Sequence, residues 1–317
     1  MKSIHREFFK TGLITSILII FMVFPVFGGM VKNWNESFEV EPNGNLIVEA
    51  DIGSIRISTG GNNRILADIE AEVDTRNEDK AQAILDRFQV KFEQRDNSVI
   101  ITLEYDRDGW SFLRHGDNFR SIDINVSVPV EYDVELSTAG GGISVEDLKG
   151  DIDAETSGGS LHFYRTDGPI NGHTSGGGIS LNQCQGKIDI ETSGGGIEIN
   201  QVDGVVEAHT SGGGIDIDDF KGSIDASTSG GGISASFIGQ PEDDCQLTTS
   251  GGGIEIYLDK NANINIDAET SIGRVETDFP ITLRGRIDKS SIRGEINDGG
   301  PEIYLRTSAG NIYIYEN

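Results

Sequence analysis

A six-residue unit, T-S-G-G-G-I or a close variant, restarts at Thr138, Thr156, Thr174, Thr192, Thr210 and Thr228. A period of eighteen residues this strict is the mark of a stacked β-solenoid, in which each repeat contributes one coil. The glycines carry a finer period of nine, from Gly141, Gly150 and Gly159 through to Gly213, Gly222 and Gly231. Each coil therefore has two similar halves and two faces.

Within a coil, apolar residues stand two and four places after each glycine, as in G-G-I-S-L-N-Q-C-Q followed by G-K-I-D-I-E-T-S-G from Gly177. That is the alternation of a short strand with one buried side. Stacking predicts one internal ladder of Ile143, Leu161, Ile179, Ile197, Ile215 and Ile233, and a second of Ile152, Ile170, Ile188, Val206 and Ile224. No single coil buries its own apolar side, so the core must run along the axis. A perimeter of at most roughly 60 Å leaves no room to enclose a ligand. The triple glycine is expected at a corner that turns through positive φ and where coils pass too closely for a Cβ.

After Ile233 the period loosens. The motif returns at Thr249 behind an insertion with Pro241 and Asp243, and weaker echoes follow at Thr270, Ser290 and Thr307. About ten coils spaced by about 4.8 Å make a rod roughly 50 Å long, read here as the unit 136–317.

Residues 1–28 are of another kind. Lys2, Arg6 and Lys10 precede an apolar run over 11–27, the pattern of a signal peptide or an N-terminal membrane anchor. Cleavage near Gly28 and retention as an anchor that contacts the membrane are the two alternatives; both export the rest to the periplasm or cell surface.

The whole chain carries 25 basic and 52 acidic side chains, a net charge of −27. Removing 1–28 takes away three basic residues and one acidic one, leaving 22 against 51 and a charge of about −29. Nucleic acid and anionic lipid are poor partners for such a surface. Proteins, glycans and divalent cations remain. The two cysteines fall on different coils: Cys184 at an inward turn position, Cys245 in the ladder of Ile188 three coils further on. Three coils are about 14 Å of rise, beyond the roughly 7 Å that a disulfide spans between Cα atoms.

Residues 33–135 lack the period. Stretches 46–50, 54–58, 65–73, 99–104 and 122–128 alternate as strands, and 78–87 reads as one amphipathic helix with Ala81, Ile84, Leu85 and Phe88 inward. This predicts a β-rich capping lobe with a single helix, covering an end of the rod that would otherwise expose core and strand edges. The irregular loop 106–119 holds Trp110, Phe112, Leu113, His115 and Phe119, which either fold over a core end or form a recognition patch.

Residues 122–143, I-D-I-N-V-S-V-P-V-E-Y-D-V-E-L-S-T-A-G-G-G-I, with the T-S-G-G-G-I and G-x-I-D-A units that follow, resemble the bacterial putative-adhesin family. The resemblance spans roughly 38–316 and implies an exported envelope or surface β-solenoid. It implies no catalytic residues and no cofactor.

The outward positions carry one constellation. In successive coils the residue after the second-ladder isoleucine is Asp153, Asn171, Asp189, Glu207 and Asp225, and two places on it is Glu155, His173, Glu191, His209 and Ser227. Side chains about 4.8 Å apart form an acidic stripe in which His and Asn interrupt like charges. The sharper expectation is a face that binds a divalent cation or responds to protonation of His173 and His209. A calcium-binding β-roll needs an Asp at a fixed place in both halves; the matching position here carries Ser144, His162, Ser180, Glu198, Asp216 and Ser234.

Polysaccharide-active β-helix enzymes use larger coils with a cleft between long loops. The coils here stay at eighteen residues with minimal loops, the repeats contain no Lys or Arg converging on the carboxylates, and the chain has no nucleophile elbow, phosphate loop or zinc motif. The sequence points to a non-enzymatic, adhesin-like module offering an extended acidic surface to a protein or glycan. A self-assembling envelope scaffold and an anchored signalling module are the alternatives.

Overall fold

Burial alternates residue by residue through the repeat, as in Gln185–Thr192, where Ile188, Ile190 and Thr192 are inward and Lys187, Asp189 and Glu191 outward. The computed structural model that shows this describes residues 22–26, 29–60, 63–75, 77–106, 119–283 and 288–317. Two parallel sheets face each other across one continuous core that runs from Trp34 to Ile314. Sheet 1 holds the strand that follows each glycine triplet, and sheet 2 holds the other half-coil.

Both predicted ladders form in the predicted register. Ile143 pairs with Leu161, Ile179, Ile197, Ile215 and Ile233 in succession along sheet 1. Ile152, Ile170, Ile188, Val206 and Ile224 do the same along sheet 2. A buried threonine locks the glycine corner of each rung from Thr138 onward. The Thr192 hydroxyl donates to the Gly177 carbonyl at 2.6 Å and accepts from the Gly195 amide at 3.3 Å. Bonds of this kind contribute on the order of 1 kcal/mol each.

The glycine expectation needs correcting. No triplet glycine between Gly140 and Gly253 lies at positive φ. Contact requires the middle glycine: a Cβ on Gly195 would fall on the Gly177 carbonyl of the preceding coil. Positive φ marks the other glycine series, such as Gly186 at 131°, and the middle glycines of two end rungs, Gly53 at 117° and Gly273 at 154°. It also belongs to a stack of non-glycine residues at that second corner, Asp147, Arg165, Gln183, Gln201 and Asp219, at φ of 52–61°. There the Gln183 amide donates to Gln201 at 3.0 Å, and the Arg165 guanidinium beside Asp147 lowers that carboxyl's pKa.

Coil order departs from chain order at both ends. Along sheet 2 the parallel strands run Ser98–Tyr105, Gly44–Ala50, Tyr132–Thr138, Ile152–Thr156, Ile170–Thr174, Gln185–Thr192, Asp203–Thr210, the second half of Ile215–Thr228, Cys245–Thr249, Glu302–Ala309 and Ile264–Ile272. Sheet 1 follows the same order, so the described residues build eleven rungs. Two of them, 44–59 and the pair Ser98–Tyr105 with Phe119–Val128, come from the stretch that lacks the period. Gly53 there stands beneath Gly141, and the Thr138 hydroxyl donates to its carbonyl at 2.9 Å. At the other end the rung 302–316 slides between 245–258 and 264–277. Thr307 and Thr270 thus stack in reverse of their chain order. Ser290 begins no rung, because Ser291–Ile296 runs antiparallel to Ile264–Ile272 as a cover.

Antiparallel strands close the other end as well. Arg64–Val73 and Gly29–Glu39 extend sheet 1 beyond Phe119–Val128, and Phe88–Arg95 lies on the edge of sheet 2. Trp34, Phe88 and Tyr105 bridge the two sheets through ring contacts of 6.5 and 4.9 Å. Helix Glu78–Leu85 packs over this end by Ala81, Ile84 and Leu85. Asn77 caps it by accepting from the Lys80 amide, and Glu78 and Asp79 sit in its first turn, where the helix dipole favours them. Strand Gly29–Glu39 and strand Phe88–Arg95 were not foreseen. Trp110, Phe112, Leu113 and His115 lie outside the described residues, as do residues 1–21.

Cys184 and Cys245 are buried free thiols on separate rungs. Cys245 stands beside Ile224 and so takes the place in the Ile188 ladder that the period requires. Burial raises the pKa of both thiols, Cys245 to about 11. The native protein at pH 8 is therefore expected to resist a thiol reagent such as dithiobisnitrobenzoate, with two equivalents reacting only after denaturation. Rapid modification of either cysteine in the folded state would contradict this burial.

Candidate functional site

The eight charged residues singled out from the sequence lie side by side on the outer face of sheet 2. One column holds Asp153, Asn171, Asp189, Glu207 and Asp225; the next holds Glu155, His173, Glu191, His209 and Ser227. Register fixes this, because strand pairs eighteen residues apart bring equal positions together. Polar neighbours interrupt the like charges. His173 Nδ1 lies 3.7 Å from the Glu191 carboxylate, and His209 Nδ1 lies 2.8 Å from Ser227 Oγ. The Asn171 amide donates to Asp153 at 3.4 Å. Side chains in such columns point outward in parallel and do not converge. Among the described residues, no three His, Cys, Asp or Glu side chains group as they would around a metal ion.

Past Ser227 the columns change character. The first continues as Gln246, Tyr304 and Asp267, the second as Thr248, Arg306 and Glu269. Asp267 is only 8% exposed and is held from two sides. Arg306 Nη2 donates to its Oδ1 at 2.8 Å while Nη1 donates to its main-chain carbonyl at 2.7 Å. Arg293, reaching in from the antiparallel cover, donates from Nε to Oδ2 at 2.9 Å. The Arg306 guanidinium lies 3.8 Å over the Tyr304 ring and 3.7 Å from Glu269. It is thereby fixed in place.

Where Ser227 and Thr248 replace the large side chains of the preceding rungs, a hollow of about 430 Å³ opens. Ser229, Ser250, Ser308 and Ser271 of successive corners wall it, and Arg306 and Glu269 close its end. Sequence reading missed this place. Arg306 and Ser308 enter it only through the out-of-order rung, and no period in the chain places them beside Thr248 and Glu269.

Residues 45–315, which take in nearly the whole of the eleven rungs, match the profile of one protein family, Toastrack DUF4097. The chain belongs to that family. The resemblance carried by the T-S-G-G-G-I units therefore leads to a Toastrack β-solenoid. No curated protein matches the chain. Among solved structures, a putative adhesin from Bacteroides fragilis is similar at 14% identity, over 90% of this chain and 97% of that one, with a TM-score of 0.38. A putative cell adhesion protein from Clostridium sporogenes aligns at 14% identity over 90% and 100%, TM-score 0.26. A putative lipid binding protein from Parabacteroides distasonis aligns at 10% over 90% and 96%, TM-score 0.35. Those descriptions belong to those proteins. Among the described residues of this Toastrack chain, no helix is long and apolar enough to cross a membrane.

Proposed function

We propose that this Toastrack chain is an exported, non-enzymatic, adhesin-like module that presents the outer face of sheet 2 to a glycan or protein. The observation that supports the reading most is the in-register run of that face: its columns of polar side chains continue from Asp153 and Glu155 to Asp267 and Glu269 over successive rungs. A hydrolase or lyase requires acids and bases converging on one bond. A recognition surface needs only this kind of extended, rigid display. The basic and apolar pattern of 1–28 supports export, and the net charge of −27 disfavours nucleic acid and anionic membranes as targets. End-to-end polymerisation of rods is the weaker reading, since antiparallel strands cover both ends of sheet 2 and one end of sheet 1.

A glycan array and a pull-down with the exported form test this. A ligand is expected whose capture falls when outward side chains of this face are changed, either Asp189, Glu191 and Glu207 together to Ala or Thr248 to Trp. Absence of any ligand, or capture indifferent to both changes, would count against the reading.

A further inference from the structure

We propose that the hollow between His209 and Arg306 is a binding site for one or two units of a neutral saccharide. This rests on the reading of the chain as a recognition module and gives it a place and a ligand class.

The hollow exists because of a step in side-chain size. Glu155, His173, Glu191 and His209 stand over the preceding rungs, whereas Ser227 and Thr248 stand here, and the next position is filled again by Arg306. Its volume of about 430 Å³ falls within the ~300–1,000 Å³ usual for ligand pockets.

The lining selects the ligand by exclusion. Hydroxyls of Ser227, Thr248, Ser250 and Ser308 offer both donors and acceptors and no apolar wall, so a lipid or an aromatic group gains little there. The charges at its end cancel. Glu269 and Asp267 face Arg306 and Arg293, two carboxylates against two guanidiniums, in a chain whose net charge is −27. An anionic ligand would approach a strongly negative molecule and find Arg306 already engaged by Asp267, while a cationic ligand would find Glu269 already facing Arg306. A ring of hydroxyls remains, since each can donate to Glu269 or to a serine and accept in return. Arg306 adds preorganisation: it is 22% exposed and clamped between Asp267 and the Tyr304 ring, so little freedom is lost on binding.

The test is saturation-transfer NMR with the full chain and five probes. Maltohexaose, cellohexaose and chitohexaose are neutral; hexagalacturonate and the chitosan hexamer are their charged counterparts. Thr248→Trp fills the hollow from its floor, Ser250→Tyr fills it from its wall, and Ser180→Trp makes a comparable change on sheet 1, with circular dichroism confirming the fold of each. The expected result is transfer to at least one neutral hexasaccharide in preference to both charged ones. Affinity should weaken by at least ~tenfold in either filled variant and stay within about twofold in Ser180→Trp. Absence of transfer to all three neutral probes at about 10 mM overturns the site. Binding that survives both filled variants also overturns it, and leaves the wider reading of the face intact. Failure of the array and the pull-down to find any ligand removes both.

Discussion

Gly195→Ala is expected to destabilise the rod by ~3 kcal/mol or more, and Gly194→Ala by less than ~1 kcal/mol, although the two residues are neighbours in one triplet. A Cβ on Gly195 would meet the carbonyl oxygen and carbon of Gly177 and the amide of Gly178, all backbone atoms. Rung spacing is fixed by ladder hydrogen bonds on both sides, such as Ile179 N to Gly196 O at 3.0 Å, so neither chain can withdraw. On Gly194 the nearest atom is the Gly176 carbonyl oxygen at 3.3 Å, which a small shift relieves. The chain has already made these substitutions elsewhere. The first triplet position holds Ile52, Ala309 and Ile272 in three rungs, and the third holds Ser54, Ser160, Asn311 and Arg274; the middle one is glycine in each of these rungs, from Gly53 to Gly310. Urea unfolding measures the difference. Hydrogen exchange should place the damage in 177–213, because a solenoid couples each rung chiefly to its neighbours. Equal costs for the two variants would show that the glycines serve flexibility and not contact.

The repeat made the middle of the molecule legible. Inward isoleucines eighteen residues apart can stack in only one register that buries them all, and that register placed Asp153, Glu155, His173 and Glu191 correctly on a shared outer face. The ends were illegible for a definite reason. Stacking depends on what lies beside a residue, and the period reports this only while coil order follows chain order. The segment A-D-I-G-S-I over 50–55 is a rung corner with Ala50 in the threonine column, Gly53 under Gly141 and Ile55 under Ile143. It stands too far from its spatial neighbours to register as a repeat. The nine-residue glycine period concealed a second distinction, since Gly195 and Gly186 look equivalent in sequence and both pass close to the preceding rung, but only Gly186 also needs positive φ. The hollow beside Arg306 was hidden for the same reason as the coil order.

That order gives the rod two similar ends. At one, 44–59 lies between the strands Ser98–Tyr105 and Phe119–Val128 on one side and 132–146 on the other; at the other, 302–316 lies between 245–258 and 264–277. In a solenoid stacked in chain order, the last rung can peel away while touching only the one before it. Here the outermost rung rests on a strand pair from a distant part of the chain, and an antiparallel cover crosses it. Fraying of either end must therefore break long-range pairs together, which makes each end a cooperative unit.

Asp267→Ala tests this directly, because one carboxylate holds three segments. It sits on Ile264–Ile272, accepts from Arg306 on the inserted rung and accepts from Arg293 on the cover. Truncation leaves the Arg306 guanidinium, which is 22% exposed, without its main charge partner and opens a void at a position that is 8% exposed. A loss of about 3 kcal/mol in the stability of this end is expected. Hydrogen exchange read by mass spectrometry should show 264–277, 291–296 and 302–316 losing protection in concert, with 143–237 unchanged. If only 264–272 becomes labile while 302–316 stays protected, the inserted rung is held by its backbone ladders alone, and the three segments do not form one unit.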